Sequence, residues 1–213
     1  MKAISLHQPW ATLILLGAKT FETRSWQTSH RGTLAIHAAK HKSAEFRQLC
    51  VTDPEISAVL AKHGLTYDTL PFGAILGTAQ VGEMVQTEHM PSLSFTELAC
   101  GDYTPGRYAW QLYRVESLVR PVLCRGFQQL WTVAPDYLPM LHTREALASA
   151  FTKRYGGLVQ ADDIRDLMNL TQEDDADTTL HVQASREART DWYEVRVNES
   201  GQLEATSIEQ LPF

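Results

Sequence analysis

Cysteine is scarce in this chain and poorly spaced for chemistry. Cys50, Cys100 and Cys124 are the only three in 213 residues. They form no C-x-x-C pair, which argues against a disulfide framework and against a zinc knuckle and fits a reducing cytoplasm. Histidines 30, 37 and 41 share no helical face and make no familiar ligand spacing with a carboxylate, so neither a metal nor another cofactor is expected. Long apolar runs are missing as well. The run Ala11–Leu16 is too short to span a bilayer. It lies between "HQPW" and a charged segment with no A-x-A-like cleavage site, which excludes a signal-peptide core. No membrane association is expected, and no internal repeat is visible. Bulk positive charge is also absent. A formal net charge of -6 speaks against a protein that coats nucleic acid by electrostatics alone.

What is present suffices for a packed core: 44% of residues are hydrophobic, and the length suits one full domain with an extension. Charge divides the chain. Residues 1–131 carry 12 Lys+Arg against 10 Asp+Glu, a net of +2, and six of the eight histidines. Residues 132–213 carry 7 against 15, a net of -8. The two sections are therefore expected to face different partners, with the acidic section's own partner unidentified.

Local patterns place the elements. "KAISL" reads as a strand, and "HQPWATLILLG" as a helix with Pro9 in its first turn and Gly17 as a left-handed stop. From Thr20 to Trp26 the pattern alternates, putting Glu22, Arg24 and Trp26 on one strand face and Phe21, Thr23 and Ser25 on the other. "GTLAIHAAK" is a strand, "SAEFRQLCV" a helix, and "DPEISAVLAKHG" a helix with Asp53 as cap and Pro54 at its first position. "FGAILGTAQVGEMV" is a long strand in which glycines 73, 77 and 82 predict bends or bulges. Two more strands, "RYAWQLYRVESL" and "RPVLC", precede "RGFQQLW". In the acidic section, "TREALASAFTKRYGG" and "ADDIRDLMNL" read as helices and "TQEDDADT" as a linker. "TLHVQA", "DWYEVRVN" and "QLEATSI" read as strands, the last two joined by a turn at "ESGQ". Short, bent strands with helices in the connections predict an α+β fold: a small mixed β-barrel decorated by helices, followed by a C-terminal α/β extension.

The densest chemistry lies in "GAKTFETRSW", Gly17 to Trp26. Mixed charge on a strand is most often a solvated face with a routine ion pair. Here, however, acidic and basic heads stand between two tryptophans, which is the equipment of a pocket for a polar planar ligand. Arg24 can fork onto a phosphate or carbonyl. Glu22 can accept from an amino group, and Lys19 can act as a point charge or, if desolvated, as a base. Trp26 and Trp10 are stacking candidates, although Trp10, beside Pro9 on an apolar helix, equally suits the core. Gln8, close to the helix N-terminus, could help position an anion. His37 interrupts an apolar strand, where a histidine is more often a satisfied core residue than a ligand. Lys40, just beyond it, can reach a phosphate or simply face solvent.

Three separated blocks, "SLHQPWATLILLGAKTFETRSW", "RGTLAIHAAK" and "GRYAWQLYRVESLVRPVLCRGFQQLW", resemble the ASCH domain, a PUA-like β-barrel family. The hallmark G-x-K-x-x-E-x-R stands here as Gly17, Lys19, Glu22 and Arg24. The resemblance covers about residues 2–131, leaving 132–213 as an acidic C-terminal extension. It implies a cleft, lined by this strand and the one bearing His37, that receives RNA, a nucleotide or a modified nucleoside. Some small ASCH proteins are amidohydrolases that deacylate a modified cytidine with a lysine, a threonine and a glutamate. Carried over, the lysine is Lys19, the threonine's place is taken by Glu22, and Glu83 is the nearest counterpart of the glutamate. The resemblance thus implies ligand binding first, with amide hydrolysis of an N4-acylcytidine-like nucleoside by Lys19, Glu22 and Glu83 as the alternative.

Overall fold

The computed structural model describes residues 1–141, 164–165, 179–186, 189–197 and 203–208. The chain divides into two compact units, Met1–Leu138 and Pro139–Phe213. The first is α+β: a mixed sheet of six strands in the order β2-β5-β4-β3-β1-β6, with helices in the connections. Its strands are β1 (Lys2–Leu6), β2 (Phe21–Arg24), β3 (Gly32–Ala38), β4 (Ala74–Gln86), β5 (Tyr108–Leu123) and β6 (Leu130–Thr132). β1 and β3 run parallel; the remaining pairs are antiparallel. The outer strands β2 and β6 leave the sheet open. Its bending comes from register shifts, one between β3 and β4 and three between β4 and β5, each adding local twist. Three of those shifts lie within Ile75–Met84, the stretch in which the sequence predicts bulges. β5 is one continuous strand where the sequence suggested two.

The helices are α1 (Trp10–Leu15), α2 (Ala44–Thr52), α3 (Pro54–Lys62) and α4 (Phe95–Ala99). α1 ends at Gly17, whose φ of +72° is left-handed, a conformation that glycine adopts without penalty. Ser43 caps α2 by accepting from the Phe46 N–H, and Asp53 caps α3 by accepting from the N–H groups of Glu55 and Ile56. α1 joins two cores. Ile14 packs with Ile4, Leu34, Ile36 and Trp110 against the sheet, while Leu13, one residue earlier, packs with Ile56, Leu60, Tyr67 and Leu70. Each such side chain, fully buried, contributes about 1.5–3 kcal/mol, enough to anchor a helix of six residues that would not form alone. α4 went unread in the sequence. Its signal is Ser94 with Glu97 three residues on, the Ser94 hydroxyl accepting from the Glu97 N–H, half of a capping box.

The second unit contains a four-stranded antiparallel sheet in the order β10-β9-β8-β7. Its strands are β7 (Ile164–Arg165), β8 (Thr179–Arg186), β9 (Arg189–Val197) and β10 (Leu203–Ile208). β8, β9 and β10 fall where the sequence predicts strands. Ile164 and Arg165, expected within a helix, pair instead with Val182 and His181. The helix expected over "TREALASAFTKRYGG", the acidic linker and the "ESGQ" turn lie outside the described residues.

Candidate functional site

β2 begins within four residues of the turn that ends α1, so Lys19 is delivered to the sheet from the end of a packed helix. Its backbone N–H donates to Leu13 O at 3.1 Å. The following segment is pinned by Glu97 of α4, itself only 4% exposed. One Glu97 oxygen accepts from the Thr20 N–H and hydroxyl, each at 2.7 Å, and the other from the Phe21 N–H at 3.2 Å and the Tyr103 hydroxyl at 2.6 Å. Burial and the Glu97 carboxylate push the Tyr103 phenol well above its ordinary range, so Tyr103 stays a donor. Gly101 closes the same corner. A Cβ there would meet Tyr103 Cε2 at 2.6 Å and Lys19 Nζ at 3.3 Å, so the turn after α4 can approach this closely only without a side chain.

The result is a lysine 2% exposed beside a glutamate 7% exposed. Lys19 Nζ lies 3.6 Å from Glu22 Oε2, too long for a hydrogen bond, and makes none with the described residues. Glu22 Oε1 stands 2.9 Å from Arg24 Nε, an ion-pair contact without hydrogen-bond alignment. The Arg24 guanidinium also reaches Ser5 O at 3.5 Å. One carboxylate thus serves two cations, and a net positive charge is left against the wall of a cavity of about 1590 Å³.

Seven of the residues singled out from the sequence line that cavity: Trp10, Lys19, Glu22, Arg24, Trp26, His37 and Lys40. Trp26 packs edge-on against Trp110 at 4.7 Å and accepts, through its carbonyl, the Trp110 indole N–H. Trp10, half-buried, packs edge-on against Phe46 at 4.8 Å, and both rings line the cavity. His37 is 1% exposed. Its Nε2 faces Cys124 O at 3.2 Å, a contact that requires N–H there, while Nδ1 has no partner. Burial outweighs that bond and holds the ring below its ordinary pKa of 6.5, so Nδ1 remains a neutral acceptor. His7, also on the lining, is lowered by burial and by the neighbouring His41 and Arg24.

Two expectations fail geometrically. Gln8 is wholly buried and does not line the cavity: its amide donates to Pro71 O at 2.8 Å and its carbonyl accepts the Thr12 N–H at 3.1 Å. That side chain ties α1 to the segment before β4, buried away from the cavity. Glu83 is exposed on β4 and outside the cavity, so it cannot join Lys19 and Glu22. Thr23, expected on the opposite face of the strand, also lines the cavity beside Lys19 and Glu22. The Thr20 hydroxyl is committed to Glu97, and the Thr23 hydroxyl accepts the Asp102 N–H at 3.2 Å.

Beyond Ser5–His7, Thr23, Ala39 and Gly73, three more contributors to the lining were not singled out from the sequence. One is the Ala99–Asp102 turn, where burial pushes the Cys100 thiol up to about 11 although the charge of Lys19 opposes it. Another is Phe46 with Phe72, and the third is the Leu123–Gln129 loop. Only the loop left a signal, since "RGFQQ" joins a cation, an aromatic and two amides in five residues. Among the described residues no cluster of His, Cys, Asp and Glu could hold a metal ion, and no helix is long and apolar enough to cross a membrane.

This chain belongs to the ASCH domain family, whose profile matches residues 4–121. Short, closely similar segments occur in activating signal cointegrator 1. The human protein is 54% identical over 39 residues, 18% of this chain and 7% of that protein; the mouse protein is 57% identical over 35 residues, 16% and 6% respectively. The matches therefore span less than a tenth of those relatives. Among solved structures, an ASCH protein from Zymomonas mobilis is similar at a TM-score of 0.38 and 18% identity, covering 63% of this chain and 87% of that one. A tyrosine-to-phenylalanine mutant of the same Zymomonas mobilis protein gives 0.37 and 18%, over 63% and 90%.

Proposed function

We propose that the cavity is a binding cleft for RNA, a nucleotide or a modified nucleoside. The observation that carries this reading is the nearly buried pair Lys19 and Glu22, kept at the wall of an open cavity beside Arg24 and Trp26. Burying charge is costly unless the remaining hydrogen-bonding capacity is met, and Lys19 has donors to spare. A base carbonyl or a phosphate oxygen satisfies them, an amino or imino group donates to Glu22, and the Arg24 guanidinium takes a phosphate. Trp26 offers an apolar flank for a planar ring. Lys40 extends the positive charge outward. Residues 1–131 carry the ligand in this reading, and the acidic residues 132–213 oppose indiscriminate polyanion attachment. Titration with a panel of nucleotides and short RNAs tests it. Arg24→Ala lowers the affinity about tenfold or more, and a wild-type protein that binds nothing in the panel refutes the proposal.

Amide hydrolysis is the second reading, favoured by a buried lysine that makes no hydrogen bond within reach of a carboxylate. There Lys19 holds the acyl oxygen, and Glu22 takes a proton from the attacking water and passes it to the leaving amine as the C–N bond breaks, with Glu83 taking no part. Release of acid from N4-acylcytidine, abolished in Lys19→Ala and Glu22→Gln, puts this reading first; no release removes it.

A further inference from the structure

The cavity is larger than one nucleoside requires. At about 1590 Å³ it exceeds the roughly 300–1,000 Å³ typical of a site enclosing one small ligand. The buried charges furnish only its inner wall. Its mouth is built differently: Leu123 is 75% exposed and Phe127 52% exposed, and both line the cavity. Phe127 is braced from two sides. Arg125 Cζ lies 5.4 Å from its ring centroid, and Trp131 meets it at 5.5 Å. Trp131 is itself fixed, its indole N–H donating to Ser5 Oγ at 3.1 Å.

The charges at the mouth also differ from those inside. Lys19 and Arg24 share Glu22, and Arg107 lies 3.3 Å from Asp102. Arg125 and Lys40 have no carboxylate within ion-pair distance among the described residues, and neither does Lys42. Lys42 Nζ lies 4.9 Å from the centroid of Phe72, another ring on the lining. Cations without counterions, two of them over the rings of half-buried Phe72 and exposed Phe127, form the surface that holds a single strand: charges follow the phosphates while rings take the bases.

Resting on the nucleic-acid reading above, we infer that the ligand is a single-stranded segment of at least two nucleotides. One base enters the inner cavity, and its neighbour stacks on the Phe127–Arg125 pair with its phosphates beside Arg125, Lys40 and Lys42. A duplex does not fit this arrangement, because paired bases keep their faces inside the stack and cannot reach an aromatic ring. Stacking tolerates any base, so the outer position adds affinity more than sequence preference.

The test titrates the full chain with the four nucleoside 5′-monophosphates and the four homotetranucleotides in ribo and deoxyribo form, the comparison of the two sugars separating RNA from DNA. A blunt duplex serves as control. Tetranucleotides bind about tenfold or more tighter than monophosphates. Phe127→Ala removes that gain, read as the ratio of tetranucleotide to monophosphate affinity, whereas Phe127→Trp keeps it. A 2-aminopurine in the second position loses fluorescence on binding wild type but not Phe127→Ala. Equal affinity for monophosphate and tetranucleotide, an undisturbed gain in Phe127→Ala, or preference for the duplex overturns the inference while the inner site stands. No binding of any of these ligands overturns the nucleic-acid reading itself.

Discussion

The inner wall and the mouth of the cavity solve opposite problems. Inside, Lys19, Glu22 and Arg24 come from six consecutive residues, are largely withdrawn from water and constrain one another. At the mouth, Lys40, Phe72, Leu123, Arg125 and Phe127 come from three distant segments; apart from half-buried Phe72 they are exposed. The inner group costs folding energy unless every partner is in place, so it behaves as structure as well as site. The mouth can change at little cost to the fold. A substitution at the wall therefore alters stability along with any ligand contact, whereas at the mouth the two can be varied independently.

The largest effect expected to separate the two regions is Glu22→Ala, which leaves two cations, one of them buried, with no counter-charge. It lowers stability by about 3–5 kcal/mol, measured by urea denaturation; a loss under about 1 kcal/mol, the range of an exposed pair, makes the inner group an ordinary surface pair and erases the contrast. Next, Gly101→Ala forces a methyl against Tyr103 and Lys19 and costs about 1–3 kcal/mol, with weakened ligand binding as its second readout. Smaller again is a pH effect. His37 is held below its ordinary value when folded, so as pH falls below about 6.5 the unfolded chain binds the proton first and stability declines. Stability contributed this way is present above that pH and is lost through the folded value. His37→Leu should flatten the decline between about pH 6.5 and 5, and an unchanged slope assigns it to other groups. Lys40→Ala gives the smallest effect. Stability stays within about 0.5 kcal/mol, while the slope of log affinity against log salt falls by about 1.

The same contrast governs what could be read from the sequence. Strand alternation alone put Glu22 and Arg24 on one face, and the ion-pair distances agree, because neighbours along a strand need no tertiary information. α2 and α3 were legible from Ser43, Asp53 and Pro54, whose capping chemistry is equally local. Tertiary closure was not legible. Glu97 looks like any surface glutamate until α4 packs it against Thr20, and the tie from Gln8 to Pro71 crosses 63 positions. Glu83 follows Gly82 on a strand whose register with β5 shifts between Val81 and Met84, so alternation could not say which way it faces. The two strands read over "RYAWQLYRVESL" and "RPVLC" are one, because β5 runs unbroken from Tyr108 to Leu123.

A crystal structure of the full chain with a bound single-stranded tetranucleotide tests the central claim most directly. A base against Lys19, Glu22 and Arg24, with its neighbour on Phe127, is the predicted result. A tetranucleotide bound elsewhere while the cavity between Lys19 and Trp26 holds only water would contradict it.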